Sequence, residues 1–470
     1  MGCAGALTHR APLLKGGLMS KKIIEGSFLH FIESPALGES DRWEYFADGA
    51  MLVEDGRVKI CGPRAKVEAQ ASGEAERFTY SSRYLIMPGF IDVHTHYPQT
   101  DMIASWGERL LDWLNRYTFP TEKLFFQAQH AEDVANFFIG EMLRNGTTSA
   151  SIFPTVHPVS LDAIMHAALK FNMRILAGKV LMDRHGPEDL LDRGDLGYRQ
   201  TRELIRKWHK KKGTRLLYSL TPRFALTSSE SQLQQVGDLL GEFADLHLQT
   251  HLSENPEEVE LVKRQFSVAS YTDVYKNFGL LSNRSIFAHG IHLSDYELEQ
   301  LAATRSSIAF CPTSNLFLGS GLFPLQRTAR DFAIEVGIGT DVGAGTSFSI
   351  LRTLQAAYYV GQLRHTPLNP WFAFYMATLG GARALNIAEY NGNFLAGKEA
   401  DLVILDLEAT DLISRRLQTK TGLEEQLFAL MMLGDDRAVA QTWVMGERVW
   451  DREVGYSVPQ LAEPHKNGPP

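Results

Sequence analysis

Apolar and polar positions fall into short runs of strand type along the first part of the chain. Residues 23–32 form one such run. Residues 49–61 form two, joined at Asp55-Gly56, a dipeptide that suits a two-residue hairpin. Past Pro88-Gly89 the texture changes. Short apolar runs, beginning with Phe90-Ile91-Asp92-Val93-His94, alternate with longer stretches of helical period such as 161–171 and 231–246. Seven further runs lie at 148–153, 174–180, 216–220, 246–251, 285–289, 307–311 and 335–341. Eight strand-helix alternations over about 300 residues predict an α/β fold, a (β/α)8 TIM-like barrel. Strand patterns return at 397–406 and 442–450, the latter with a turn at Met445-Gly446. Joined to the first group, they make a small flanking β-sandwich domain. The expected layout is a flexible leader 1–21, the β-sandwich from 22–88 plus 396–455, the barrel 89–395, and a flexible Pro/Gly/Lys-rich tail 456–470.

Length agrees with two units, since 470 residues exceed what one core holds, about 250–300. Apolar residues at 44% and charged residues at 22% are ordinary for a globular chain. Lys plus Arg number 47 and Asp plus Glu 55, a net charge of −8, which argues against nucleic acid as a partner. Three scattered cysteines, Cys3, Cys61 and Cys311, make no disulfide framework and point to a reducing, cytoplasmic setting. No apolar run approaches the roughly 20 residues of a membrane span. Residues 1–18 lack the plan of a signal peptide. Met1-Gly2 opens like a myristoylation site, but Ala6 stands where Ser or Thr is required.

A barrel of this kind carries its site at the C-terminal ends of its strands. The first run ends in His94-Thr95-His96, whose two imidazoles share one face because strand residues i and i+2 point the same way. His251, His289 and Asp341 end the fifth, sixth and eighth runs. A lone histidine after an apolar run is an ordinary core or surface residue. Four such strand ends together point to a metal, and three histidines with an aspartate suit Zn2+, with Fe2+ also compatible. A catalytic site of this type keeps a position for water and lowers its pKa towards about 7. Glu254 lies three residues past His251. By itself it is an N-cap or first-turn carboxylate ahead of a helix begun at Pro256; beside a metal it is placed to shuttle protons. Lys179, Cys311 and the basic run 207–212 are expected to be structural. The other zinc-deaminase pattern, His-X-Glu with Pro-Cys-X-X-Cys, is absent, since Cys311-Pro312 has no partner cysteine.

The stretch from Pro88 through His96, the His251 and His289 strand ends, and Gly339-Thr340-Asp341 resemble the amidohydrolase superfamily. His96-Tyr97-Pro98-Gln99, Leu220-Thr221-Pro222-Arg223-Phe224-Ala225-Leu226-Thr227-Ser228, and the segment 310–321 are similar to its guanine deaminase branch. The likeness covers roughly residues 22 to 455. It implies one Zn2+ per subunit on His94, His96, His251 and Asp341, with His289 bonded to the water at the metal. It also implies Asp341 as base and Glu254 as the acid that protonates the ring. Gln99, Arg223 and Phe224 would read the purine, with His251, Glu254 and Asp341 also against it. Guanine and water would give xanthine and ammonia, in a homodimer. The chemistry agrees: an Arg223 donor facing the carbonyl oxygen would separate guanine from adenine, and Phe224 could lie on the ring face. The competing expectation is a relative acting on cytosine, an adenosine-type substrate or a triazine. A metal-free scaffold on the same barrel would have lost the ligands that this chain keeps.

Overall fold

The computed structural model describes residues 21–35, 42–107, 110–211, 213–419 and 422–459. Most of the expected leader and the end of the expected tail, residues 1–20 and 460–470, lie outside the described residues. Eight parallel strands follow one another in sheet order as they do in sequence, from Phe90–His96 to Val336–Ile338. Between them run Thr147–Phe153, Arg174–Ala177, Leu216–Pro222, His247–Leu252, Ser285–His289 and Ser307–Phe310. The first and last strands meet. Asp341 N donates to His94 O at 2.9 Å, and Thr340 N donates to Asp92 Oδ1 at 3.0 Å. This is the barrel, and helices cover it. Phe90–His96 and Thr147–Phe153 are buried at every position, as parallel strands must be when helices cover one face and the packed barrel interior the other.

The third run of the barrel is interrupted. It forms Arg174–Ala177, and a separate two-residue piece, Val180–Leu181, pairs with the end of the next strand. Lys179 sits beyond the break. Its Nζ is buried and bonds Asp192 Oδ1 at 2.6 Å and Val180 O at 3.1 Å, a structural pairing.

Both ends of the chain build a second, mixed sheet of nine strands. Its path runs Gly455–Tyr456, Glu447–Asp451, Val439–Val444, Leu402–Asp406, Tyr84–Pro88, Lys21–Phe31, Trp43–Glu54 and Arg57–Pro63, and the ninth strand, Glu76–Thr79, pairs with Lys21–Phe31 off this path. Two details differ from expectation. The strand expected from residue 397 begins only at Leu402, because 397–401 turn inward to bring Glu399 and Asp401 against the barrel. Tyr456, placed in the tail, is the last residue of a short strand. The two turns read from sequence hold their hairpins with left-handed backbone at both positions, Asp55 and Gly56 (φ 50° and 75°), and Met445 and Gly446 (φ 51° and 70°).

The two sheets share a joint that positions the site. Tyr84–Pro88 belongs to the mixed sheet, and one residue later Phe90–His96 opens the barrel. Gly89 N donates to Asp401 O at 3.0 Å, and a Cβ at Gly89 would collide with the Thr148 side chain. Only glycine lets the first strand lie this close to the second.

Candidate active site

The chain arrives at one cavity from several strand ends. His94 and His96 project together from the first strand, 2% exposed each. Their Nε2 atoms are 3.3 Å apart. His251, on the fifth strand, places its Nε2 3.2 Å from His96 Nε2. Asp341, just past the eighth strand, sets Oδ1 3.3 Å from the Nε2 of both His94 and His96. Four ligand atoms around a zinc-sized ion, with bonds of about 2.1 Å, would stand about 3.4 Å from one another. The donors are thus already at ligand spacing, and among the described residues His94, His96 and His251 form one compact donor group and His94, His289 and Asp341 another.

The electrostatics favour the same use. Burial pulls the His96 pKa down to about 3 and holds His251 well below its ordinary value. Both imidazoles are therefore neutral, the form that binds metals. His251 Nδ1 donates to Arg223 O at 2.7 Å, which leaves the Nε2 lone pair facing the other donors. Burial opposes ionisation of Asp341, yet hydrogen bonds from His94 and His96 outweigh it and keep its carboxyl well below the usual range. Asp341 and His289 both have left-handed backbone (φ 50° and 73°), an uncommon conformation that turns each side chain inward as its strand ends.

His289 stands to one side of the donor group. Its Nδ1 donates to Asn315 Oδ1 at 2.9 Å, and its Nε2 lies 3.4 Å from Glu254 Oε2 and 3.9 Å from Asp341 Oδ2. Glu254 is 3% exposed and receives Ser320 Oγ at 3.2 Å. Burial first, and then the charge of Asp341, push its pKa up to about 8. A cation among the histidines would oppose that shift. Glu254 does not cap the following helix. Asn255 does so, in a reciprocal capping box with Glu258.

A small, half-open cavity lies over these groups. Gln99 reaches it from the 3-10 turn Tyr97–Met102, which continues the first strand. Arg223 and Phe224 reach it from the end of the fourth strand, and Phe224 lies 6.4 Å from the His251 ring. His96, His251, Glu254, His289 and Asp341 line the same space, and His94 lies beneath it. Every site residue expected from sequence is therefore gathered at one end of the barrel.

Other residues of the site were not expected. Glu122 pairs with Arg223 at 2.7 Å, Asn315 orients His289, and Ser320 bonds Glu254. Leu110, Trp113 and Leu114 supply an apolar wall. Asn315 and Ser320 lie within the 310–321 motif, so a signal existed without a role attached. For Glu122 the only signal is that a buried arginine needs a counter-charge, and the sequence holds 55 acidic residues.

Comparison with known proteins agrees with this geometry. The sequence profile of the amidohydrolase family matches residues 85–449. The chain is 44% identical to guanine deaminase of Escherichia coli (strain K12), over 93% of this chain and 100% of that protein. A solved E. coli guanine deaminase superposes with a TM-score of 0.89, at 44% identity, covering 92% of this chain and 100% of that one. Guanine deaminase from C. acetobutylicum, solved with guanine bound in its active site, superposes with a TM-score of 0.82 at 28% identity, covering 91% of this chain and 100% of that one.

Proposed function

The chain belongs to the amidohydrolase family, and we propose that its reaction is the hydrolytic deamination of guanine to xanthine and ammonia. The observation that carries this is the shared cavity. A four-donor metal set, a buried acid and three ring-reading side chains meet at this one cavity. The similarity to guanine deaminases at 44% identity over nearly the whole chain supports the same substrate.

His94, His96, His251 and Asp341 would hold one divalent metal, zinc by the nature of its donors, and when bound it would supply Lewis acidity that makes water nucleophilic near neutral pH. The chain's own groups do the rest. His289 Nε2 and Asp341 Oδ2 face each other at 3.9 Å, a span that one water can bridge, so they orient the nucleophile. Asp341 takes a proton as the oxygen adds to the amine-bearing carbon. Glu254, whose pKa burial raises, gives a proton to the ring nitrogen beside the attacked carbon. Asp341 then passes its proton to the amine, which leaves as ammonia. Glu254 recovers a proton from the new hydroxyl as the carbonyl forms. Both carboxyls end as they began.

Gln99, Arg223 and Phe224 select the ring. Arg223 offers donors to a carbonyl oxygen that adenine lacks, and a buried donor left unpaired by the wrong base disfavours it. Phe224 is 5% exposed and stands beside His251, placed to lie against a ring. Zinc over iron, a homodimer and a cytoplasmic setting belong to the same reading. Metal analysis and the mass in solution test the first two. The decisive experiment is a steady-state comparison of guanine, adenine, cytosine and a triazine, with metal measured on the same sample. Guanine is expected to have much the highest kcat/KM; equal turnover of another ring would overturn the reading.

A further inference from the structure

Glu122 has no part in the steps above, yet it is 1% exposed against the ring-reading wall. It lies in the short helix Phe119–Lys123. Its two carboxylate oxygens are divided. Oε2 accepts from Arg223 Nη1 at 2.7 Å, and Oε1 accepts from Gln99 Nε2 at 3.4 Å. The Arg223 guanidinium also lies 5.5 Å from the Phe119 ring centre, so one helical turn grips the cation by edge and face. Gln99 is confined from the other side as well. A Cβ at Gly343 would come within 2.6 Å of Gln99 Oε1, so glycine there leaves the amide its room. With Nε2 given to Glu122, Oε1 is the Gln99 atom left to accept a ring N–H. The remaining Arg223 N–H groups are left to meet a carbonyl oxygen.

Charge sharpens the point. Glu122 and Arg223 are both buried, and their opposite charges face each other at 2.7 Å. The wall therefore presents oriented donors without a net charge. A buried arginine standing alone would draw in an anion instead. Guanine is neutral in water near pH 7, whereas xanthine loses a ring proton a little above neutrality. We propose that Glu122 is a positioning residue that fixes Gln99 and Arg223 and cancels the charge of Arg223, so that the cavity takes a neutral carbonyl-bearing ring and rejects the anion of its product.

This inference rests on guanine deamination being the reaction. The experiment measures kcat, KM for guanine, bound metal, and inhibition by xanthine at about pH 6.5 and about pH 8.5, in the parent, Glu122→Gln and Glu122→Asp. Glu122→Gln is expected to keep its metal and raise KM roughly tenfold, the scale of one oriented hydrogen bond. Its inhibition by xanthine strengthens at the higher pH, where the parent's weakens. Glu122→Asp keeps the charge, so it shows a raised KM with the parent's pH trend. A Glu122→Gln enzyme with the parent's KM and the parent's inhibition trend overturns the inference. So does one that loses metal and kcat together at unchanged KM, which marks a merely structural role. If Glu122→Gln does not fold, Glu122→Asp decides, and a parental KM there overturns it. A parent inactive on guanine overturns the reaction and this inference together; an active parent with an unaffected variant overturns this inference alone.

Discussion

Burial and the nearby Asp341 raise the pKa of the Glu254 carboxyl, which lines the cavity where it can give a proton to a bound ring. Glu254→Gln keeps the shape and removes the proton. We expect kcat to fall at least about a thousandfold, within the range for losing a positioned acid, while bound metal stays at the parental level. Asp341→Ala, by contrast, should lose metal and activity together, because Asp341 Oδ1 is one of the four converging donors. Metal analysis beside the rate separates the two outcomes. A second residue, remote from the chemistry, sets a pH dependence. His247 is buried at the start of the fifth barrel strand, and neither ring nitrogen has a hydrogen-bond partner among the described residues. Burial pulls its pKa down to about 3. Between about pH 3 and 6.5 the unfolded chain binds a proton at His247 that the folded chain refuses, so stability falls as pH falls through that window. His247→Leu removes this contribution. The gap in unfolding free energy between neutral pH and about pH 5 should narrow by about 2 kcal/mol in the variant, read from denaturant midpoints.

Among the elements, the barrel strands were legible because each is a short apolar run bounded by turns, buried on both faces. Boundaries were less so. The break after Ala177 follows from Gly178, where an added Cβ would run into the Ser219 backbone, and from Lys179 turning to Asp192. The delayed start of Leu402–Asp406 has a clearer cause. Arg174, beginning the third barrel strand, donates from Nε to Glu399 Oε2 at 2.8 Å. Arg215, just before the fourth, lies 2.8 Å from the same oxygen and bonds Asp401 Oδ1 at 3.1 Å. These four buried charges tie the mixed sheet to the end of the barrel away from the cavity, where a barrel keeps its stabilising contacts. Breaking one partner leaves buried charge uncompensated. Glu399→Gln should therefore cost about 3 kcal/mol of stability with KM for guanine unchanged. A thermal or denaturant melt alongside steady-state kinetics checks both halves, and a raised KM would show that the clamp reaches the site.

At the scale of the molecule, the proposed metal donors come from the first, fifth and eighth strands, separated in sequence by more than 80 residues at each step. The fold alone brings them to 3.2–3.3 Å. A bound ion should therefore stabilise the closed barrel as well as the transition state. Chelation is expected to abolish activity and to lower the stability by up to about 4 kcal/mol for an ion present at a thousand times its Kd. Added zinc should restore both on the same sample, and recovery of the melting temperature without activity would separate folding from catalysis. No described helix is long and apolar enough to cross a membrane.

The sequence by itself determined the strand succession, the turns at Asp55-Gly56 and Met445-Gly446, and the strand-end residues His94, His96, His251, His289 and Asp341. Each follows from local chemistry: period, backbone conformation, or a polar side chain closing an apolar run. Tertiary structure decided what depends on contact between distant segments. Glu122 acquires meaning only because residues 99 and 223 converge on it from different strands. Asn315 and Ser320 gain theirs by facing His289 and Glu254. The raised pKa of Glu254 is likewise a property of its burial beside Asp341, since a carboxylate's ionisation is set by the solvent and charges around it, and those are fixed only when the barrel closes.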